Sequence, residues 1–399
     1  MKNEKMNLNR AATVALMAVL TLAICFIILG SISVELMAAL GIDSGQFGNL
    51  VFGFFLTSCI VQLFVGPIVD KVGYKPVAIL GFVITSISMA VLAFSSSVPM
   101  AFVACIMMGI GAMALNTVGN TLIPVVLFKG KDPARASNFG NAFFALGYVF
   151  TPLLIVLMLN TLGLRYNHAL IIISLLLIVF LIVTLTASFP KVSIGFKFSM
   201  AFKLLGKPPV IIAALALFCY LSLETSMATW IRMLMEELYS GTGTLNPAAA
   251  AGIVLSLFGA SMMVGRFLTS TIKNVTAIGP KILIIMSILS LLAILLMMFA
   301  GSPAIGILAV ILAGLVFAPI FPTLVGVTFS KFDPSLYGSI FGIIFSFALL
   351  GGTFVPNFIG NLIVDSTVQG SLWIAGIIAA ILLILSFFIG RVGKTKQTG

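Results

Sequence analysis

Glu224 lies in the segment Tyr220-Leu-Ser-Leu-Glu224-Thr-Ser-Met-Ala-Thr-Trp230-Ile-Arg232, inside an apolar run that reads as a helix over 209–238. Entering that helix at residue 209 and rising about 1.5 Å per residue puts Glu224 roughly 22 Å along it, away from water at either end. An acid so placed is expensive and is a functional candidate by default. Arg232 has a closer helical partner in Glu236, four residues on and nearer water, so Glu224 has no sequence-local cation. Its least costly state there is the neutral acid, which a proton-coupling site must be able to reach. The alternative is a carboxyl group permanently hydrogen-bonded to a neighbouring helix.

The other candidates are sparser. Glu35 stands toward the far end of the first apolar run, before Asp43 in a loop, and fits either a solute cavity or its lip. Arg266, near one end of the stretch 247–272, reads as a residue that snorkels to water, with a gating role as the alternative. His168, beside Arg165 and Tyr166, reads as interfacial. Three amide pairs recur in apolar runs: Asn116 and Asn120, Asn138 and Asn141, Asn357 and Asn361. Amides offer donors and an acceptor, as recognition of a hydroxyl-rich solute needs, but they also join membrane helices. Cys25, Cys59, Cys105 and Cys219 have no metal-ligand spacing and read as small buried hydrophobes. No nucleophile–base grouping or nucleotide loop is visible, which argues against an enzyme.

These residues have to be positioned by membrane helices. Of 399 residues, 61% are hydrophobic and 8% charged, against roughly one quarter charged in a soluble domain. Apolar stretches long enough to span a bilayer recur from Ala11 to Gly390. The fold class is therefore all-α and polytopic, with about twelve transmembrane helices. They are expected near 11–38, 44–66, 76–95, 99–128, 136–160, 167–189, 209–238, 247–272, 280–300, 303–329, 337–364 and 370–390. The basic start, Lys2, Lys5 and Arg10, resembles a signal peptide, but its apolar run passes Gly30 without a small-residue cleavage site and reads as helix 1.

Lys71, Lys75, Lys129, Lys131, Arg135, Lys273, Lys281, Lys331 and Arg391 fall on the same side as the basic start. The excess of cytoplasmic Lys and Arg predicts that both termini face the cytoplasm. A net charge of +11 spread singly along short loops, without a basic face, excludes nucleic acid as a partner. The polar segment 190–208 divides the chain into six-helix bundles over 1–189 and 209–399. A shift of 204 residues aligns Gly48 with Gly252, Phe54 with Phe258, Phe143 with Phe347, Gly147 with Gly351 and Pro152 with Pro356. This constant offset predicts two pseudo-symmetric halves with a solute site near the midplane.

The loop after helix 2 carries a second constellation, Gly66-Pro-Ile-Val-Asp70-Lys71-Val-Gly73-Tyr-Lys75. Gly66 permits close helix approach, and Asp70 can accept hydrogen bonds from the positive N-terminal end of helix 11. A basic loop facing anionic headgroups is the simpler alternative. The aligned loop of the second half has Asn274 in place of Asp70, which predicts an asymmetric gate.

The pattern G-x-x-x-D-K-x-G-x-K in this position resembles the loop signature of the major facilitator superfamily. Within it, Gly109-Ile-Gly111, Leu115-Asn116-Thr117-Val-Gly-Asn120, the set Tyr220, Glu224 and Trp230, and Phe321-Pro322-Thr323 resemble the fucose, glucose and galactose proton symporters. Asn138-Phe-Gly-Asn141-Ala-Phe143 is also similar to that branch. The resemblance implies a helix 4 acid that contacts sugar and proton. Here Asn116 stands in its place, so coupling would fall to Glu224 or Glu35. Helix 4 has Cys105 near the position where many drug–proton antiporters carry an arginine.

The expectation is a secondary transporter that moves a small polar solute, a monosaccharide, by proton-coupled alternating access. Asn116, Asn120, Asn141, Tyr220, Trp230 and Asn357 would bind the solute, with Trp230 stacked on a sugar face. Glu224 and Glu35 would couple the proton, and Gly66, Asp70, Lys71, Gly73, Lys75 and Arg266 would form the gate. No metal or cofactor is expected beyond the proton as coupling ion. The expected setting is a monomer in a bacterial inner membrane. The alternative is a proton-coupled exporter of drugs or other amphipathic compounds, favoured by abundant Met and Phe.

Overall fold

A computed structural model describes residues 2–42, 44–158, 162–190, 203–240, 242–243, 247–363 and 366–392. Most of the expected linker, residues 191–202, lies outside the described residues, as does Asp43. Among the described residues there are no strands, and twelve helical stretches are long and apolar enough to cross a membrane. Their outer surfaces carry large apolar side chains, with Phe64 60% and Phe299 77% exposed. A water-soluble protein rarely presents such continuous apolar faces, whereas hydrocarbon solvates them. The chain is a multi-pass membrane protein.

By contacts the chain forms two compact units. Unit 1 comprises Met1–Gly130, Phe143–Phe202 and Pro334–Gly342. It contains α1 (Lys2–Ser31), α2 (Ser33–Leu40), α3 (Ser44–Val72), α4 (Tyr74–Ala93), α5 (Val98–Val126), most of α6 (Pro133–Val156), and α7 (Tyr166–Thr186). α5 is central, packing on α1, α3 and α4, while α4 also packs on α7. Small residues bring these helices together: a Cβ at Gly111 of α5 would collide with Thr85 and the backbone of α4. The first expected helix is divided at Ile32, whose φ of −115° and ψ of 13° leave the helical region, so Glu35 belongs to the short α2.

Unit 2 comprises Lys131–Ala142, Lys203–Asp333 and Ile343–Gly399. Its helices are α8 (Pro208–Tyr239), α9 (Pro247–Thr271), α10 (Val275–Met298), α11 (Pro303–Phe317), α12 (Ile320–Phe329), most of α13 (Tyr337–Ile363), α14 (Val368–Ser371) and α15 (Trp373–Ile389). The expected helix 303–329 is broken because Pro319 and Pro322 lack the N–H groups that would bond Leu315 and Ala318. Each unit also takes in a short piece from the other half of the sequence. The start of α6 belongs to unit 2 and the start of α13 to unit 1.

Candidate functional site

The buried polar centre of unit 2 forms around Arg266 on α9, which is 2% exposed. Pro322 leaves the Ala318 carbonyl without its helical donor, and Arg266 Nε donates to it at 3.2 Å. Nη1 donates to the Asn141 carbonyl at 3.1 Å. Nη2 reaches Tyr220 Oη and Glu224 Oε1, both at 3.4 Å. The guanidinium fork thus ties α8, α6 and the α11–α12 break together, which suits its fixed planar set of donors. The snorkelling expected of Arg266 is overturned: the acceptors that hold it are inside the unit, and broken helix geometry supplies one of them.

Glu224 therefore has a cation, contributed by a helix 42 residues away in sequence. Arg232 instead pairs with Glu236 at 3.0 Å on the exposed face of α8, as the helical spacing predicts. Tyr220 is fully buried, with its ring 6.0 Å from that of Phe321. Asn141 contributes its backbone carbonyl to Arg266, while its side-chain amide donates to Ser137 O at 3.0 Å. One turn earlier, Asn138 Nδ2 donates to Ala134 O and Thr323 Oγ1, both at 2.9 Å. Asn138 Oδ1 is buried and has no hydrogen-bond partner.

Two other expected solute contacts have structural engagements. Trp230 Nε1 donates to Pro356 O at 3.1 Å, and the indole lies where a Cβ at Gly360 would sit. Asn357 is exposed on α13 and accepts from Asn361 Nδ2 at 3.4 Å. Glu35 is half-buried in the first turn of α2.

In unit 1 the amides of helix 4 form a chain with a residue that sequence reasoning passed over. Gln62 on α3 is fully buried; its Oε1 accepts from Asn116 Nδ2 at 3.1 Å and its Nε2 donates to Thr117 Oγ1 at 3.1 Å. Asn120 Nδ2 donates to Asn116 Oδ1 at 2.9 Å. Gln62 amid the apolar residues 50–66 of helix 2 was the available signal, because an amide in hydrocarbon requires partners. Asn116 and Asn120 stand in the same unit as Gln62, while Tyr220, Glu224, Asn141 and Arg266 gather in the other.

The motif that closes α3 has the local geometry its residues predict. Asp70 is buried and caps the start of α13: Oδ1 accepts from Gly338 N at 2.9 Å, and Oδ2 from Ser339 N at 2.6 Å and Ser339 Oγ at 2.5 Å. A Cβ on Gly66 would run into the Gly338 carbonyl, so only glycine lets the two backbones meet. Gly73, with φ of +88°, makes the reversal into α4. Lys75 caps the other end of a helix, donating to Leu185 O at 2.8 Å and Ala187 O at 3.1 Å beyond α7. Lys71 is exposed.

The loop aligned with the Asp70 motif holds Asn274 and no acid, but the helix start that follows it is capped by Asp132, a residue of the first half not singled out from sequence. It stands before α6, and its carboxylate accepts from Val275 N and Thr276 N at the start of α10. Asn274, aligned with Asp70, adopts φ of +59° just ahead of those N–H groups.

A model of the Major Facilitator Superfamily matches residues 14–356. The chain belongs to that superfamily. Among solved structures of its members, the chain is similar to FucP in the outward conformation. The TM-score is 0.78 and identity 16%, covering 95% of this chain and 98% of that one. It is also similar to the proton:xylose symporter XylE bound to 6-bromo-6-deoxy-D-glucose. There the TM-score is 0.77 and identity 14%, covering 97% and 96% of the two chains. At such identities the likeness shows the superfamily fold alone. Among curated proteins, the chromaffin granule amine transporter of Rattus norvegicus is 26% identical over 250 residues, 60% of this chain. The match spans 47% of that relative's length. As a superfamily member with a carrier's fold, the chain is a transporter and not an enzyme.

Proposed function

We propose that this transporter moves a small polar solute, a monosaccharide, together with a proton. The observation that carries the proposal is the Glu224–Arg266 pair, set in a buried centre with Tyr220 and the Asn141 carbonyl. At 3.4 Å the pair is loose, and the guanidinium keeps two shorter bonds to backbone carbonyls when Glu224 lets go. Glu224 can therefore exchange its bond to Arg266 for a proton without leaving the arginine unheld. That exchange is the step a proton-coupled carrier needs.

The sugar assignment draws on the Tyr220, Glu224 and Trp230 spacing, on the amides Asn116, Asn120 and Asn141, and on the sugars carried by FucP and XylE, fucose and xylose. Asn357 extends the polar set along α13, and Glu35 is a second acid available for coupling. Gly66, Asp70, Lys71, Gly73 and Lys75 serve the gate. Both termini face the cytoplasm of a bacterial inner membrane, and the working unit is a monomer.

The test is uptake of labelled monosaccharides into proteoliposomes, with and without an inward proton gradient, for the wild type and Glu224→Gln. Gradient-dependent accumulation of one sugar, reduced in the variant to exchange alone, supports the proposal. The amine-transporter relative favours a second reading, export of an amphipathic cation. Expulsion of such a cation, with no sugar moved, would replace the first reading by the second.

A further inference from the structure

Asp132 is 8% exposed and receives four hydrogen bonds. Only one serves its own helix: Arg135 N donates to Oδ1 at 3.3 Å, the longest of the set. The other three come from the start of α10. Val275 N donates to Oδ2 at 2.9 Å, and Thr276 N and Thr276 Oγ1 donate to Oδ1 at 2.9 and 2.6 Å. Thr276 Oγ1 also accepts from Ala134 N at 2.9 Å, and Arg135 Nε donates to Ser270 O at 2.8 Å. An ordinary N-cap is aimed at its own first turn, whereas this carboxylate is aimed mainly at another helix. Two positive helix ends converge on one buried negative charge, where charge-assisted bonds are strong.

The donor set repeats the one around Asp70. In both, two consecutive N–H groups open a helix and the hydroxyl of the second residue adds a third bond: Gly338, Ser339 and Ser339 Oγ on one side, Val275, Thr276 and Thr276 Oγ1 on the other. Close backbone approach also recurs. A Cβ on Gly326 would collide with Ala134, as one on Gly66 would with Gly338. Ala134 and Gly338 are themselves related by the 204-residue offset. One member of each contact is the short piece that a unit takes from the other half of the sequence: at Asp70 the start of α13, which donates, and at Asp132 the start of α6, which carries the acid.

We propose that Asp132 is a second latch of this carrier, clamping the start of α6 to the start of α10, and that transport requires the clamp to release once in every cycle. The proposal rests on the chain being a transporter and is independent of which solute it carries. The partners suit a latch that opens. They are backbone N–H groups and a hydroxyl, which water can replace, and no ion pair to Asp132 occurs among the described residues.

The experiment needs no solute. Ser137, one turn into α6, is 2% exposed and its hydroxyl has no hydrogen-bond partner, so Ser137→Cys is a nearly neutral reporter. It is placed in protein whose Cys25, Cys59, Cys105 and Cys219 are replaced by Ala. N-ethylmaleimide labelling is then timed in proteoliposomes with Asp132→Ala, Asp132→Asn or Thr276→Val added. Release of the latch exposes residue 137, so Asp132→Ala is expected to speed labelling about tenfold or more, with smaller accelerations in the other two. Unchanged rates in folded variants overturn the proposal. If Asp132→Ala does not fold, unchanged rates in both Asp132→Asn and Thr276→Val overturn it equally. Failure of the sugar assay would leave these rates untouched, so the two readings fail separately.

Discussion

Replacing Arg266 by Lys separates two accounts of the buried centre. If pairing with Glu224 is what Arg266 supplies, a lysine ammonium would suffice. If the fork is what matters, it would not, because one ammonium cannot reach the Ala318 and Asn141 carbonyls together with Glu224. The geometry favours the fork: the carbonyl bonds are 3.2 and 3.1 Å, while those to Tyr220 and Glu224 are both 3.4 Å. A hydrogen bond from a charged donor contributes about 1.5–3 kcal/mol, and leaving the Ala318 carbonyl unsatisfied beside Pro322 costs about 1–3 kcal/mol. Arg266→Lys is therefore expected to lose about 2–4 kcal/mol of stability. Arg266→Met, which also strands Glu224, should lose about 3–5 kcal/mol. Glu224→Gln keeps an oxygen within reach of Arg266 and Tyr220 and should cost less than about 1.5 kcal/mol. The assay is unfolding of purified protein in mixed micelles by titration with SDS, with all three variants compared. If Arg266→Lys matches the wild type within about 0.5 kcal/mol, or Glu224→Gln costs more than Arg266→Lys, the fork argument is wrong.

Two further outcomes follow from single contacts. Gly66→Ala drives a methyl group into the Gly338 carbonyl; the overlap is backbone on backbone and should cost about 1–3 kcal/mol in the same titration. It should also loosen the bonds from Gly338 and Ser339 to Asp70, seen as faster hydrogen exchange at those two amides. Trp230→Phe keeps a ring beside Gly360 but deletes the bond to Pro356 O, and should cost about 1 kcal/mol. A sugar transport defect in Trp230→Phe much larger than that change in stability would assign the indole N–H to the solute.

The membrane helices were legible because hydrocarbon imposes a length and a composition on each span, whatever its neighbours. The exceptions have local causes that a hydropathy reading averages away. Pro319 and Pro322 are as apolar as their neighbours, yet they remove two N–H groups and break the helix at Ala318. The Asp70 contact was legible for a different reason: an acid at a helix end beside a motif of defined spacing has few partners open to it. Gln62 was not, because a single amide in an apolar run carries no spacing to read. Asp132 was not legible, because the position aligned with Asp70 holds Asn274 and the acid that caps α10 stands 142 residues earlier, before another helix.

The sequence by itself determined that this is a twelve-span membrane protein. That property follows from composition and span length, which are one-dimensional. The sequence also determined that Arg232 pairs with Glu236, since that contact is a matter of helical periodicity. Only the tertiary structure decided the fate of Arg266 and Glu224. Their pairing joins residues 42 apart in sequence, and the acceptors that bury the guanidinium are carbonyls on two other elements. The cost of burying a charge depends on the donors and acceptors that folding brings around it, and a sequence names those groups without saying where they meet.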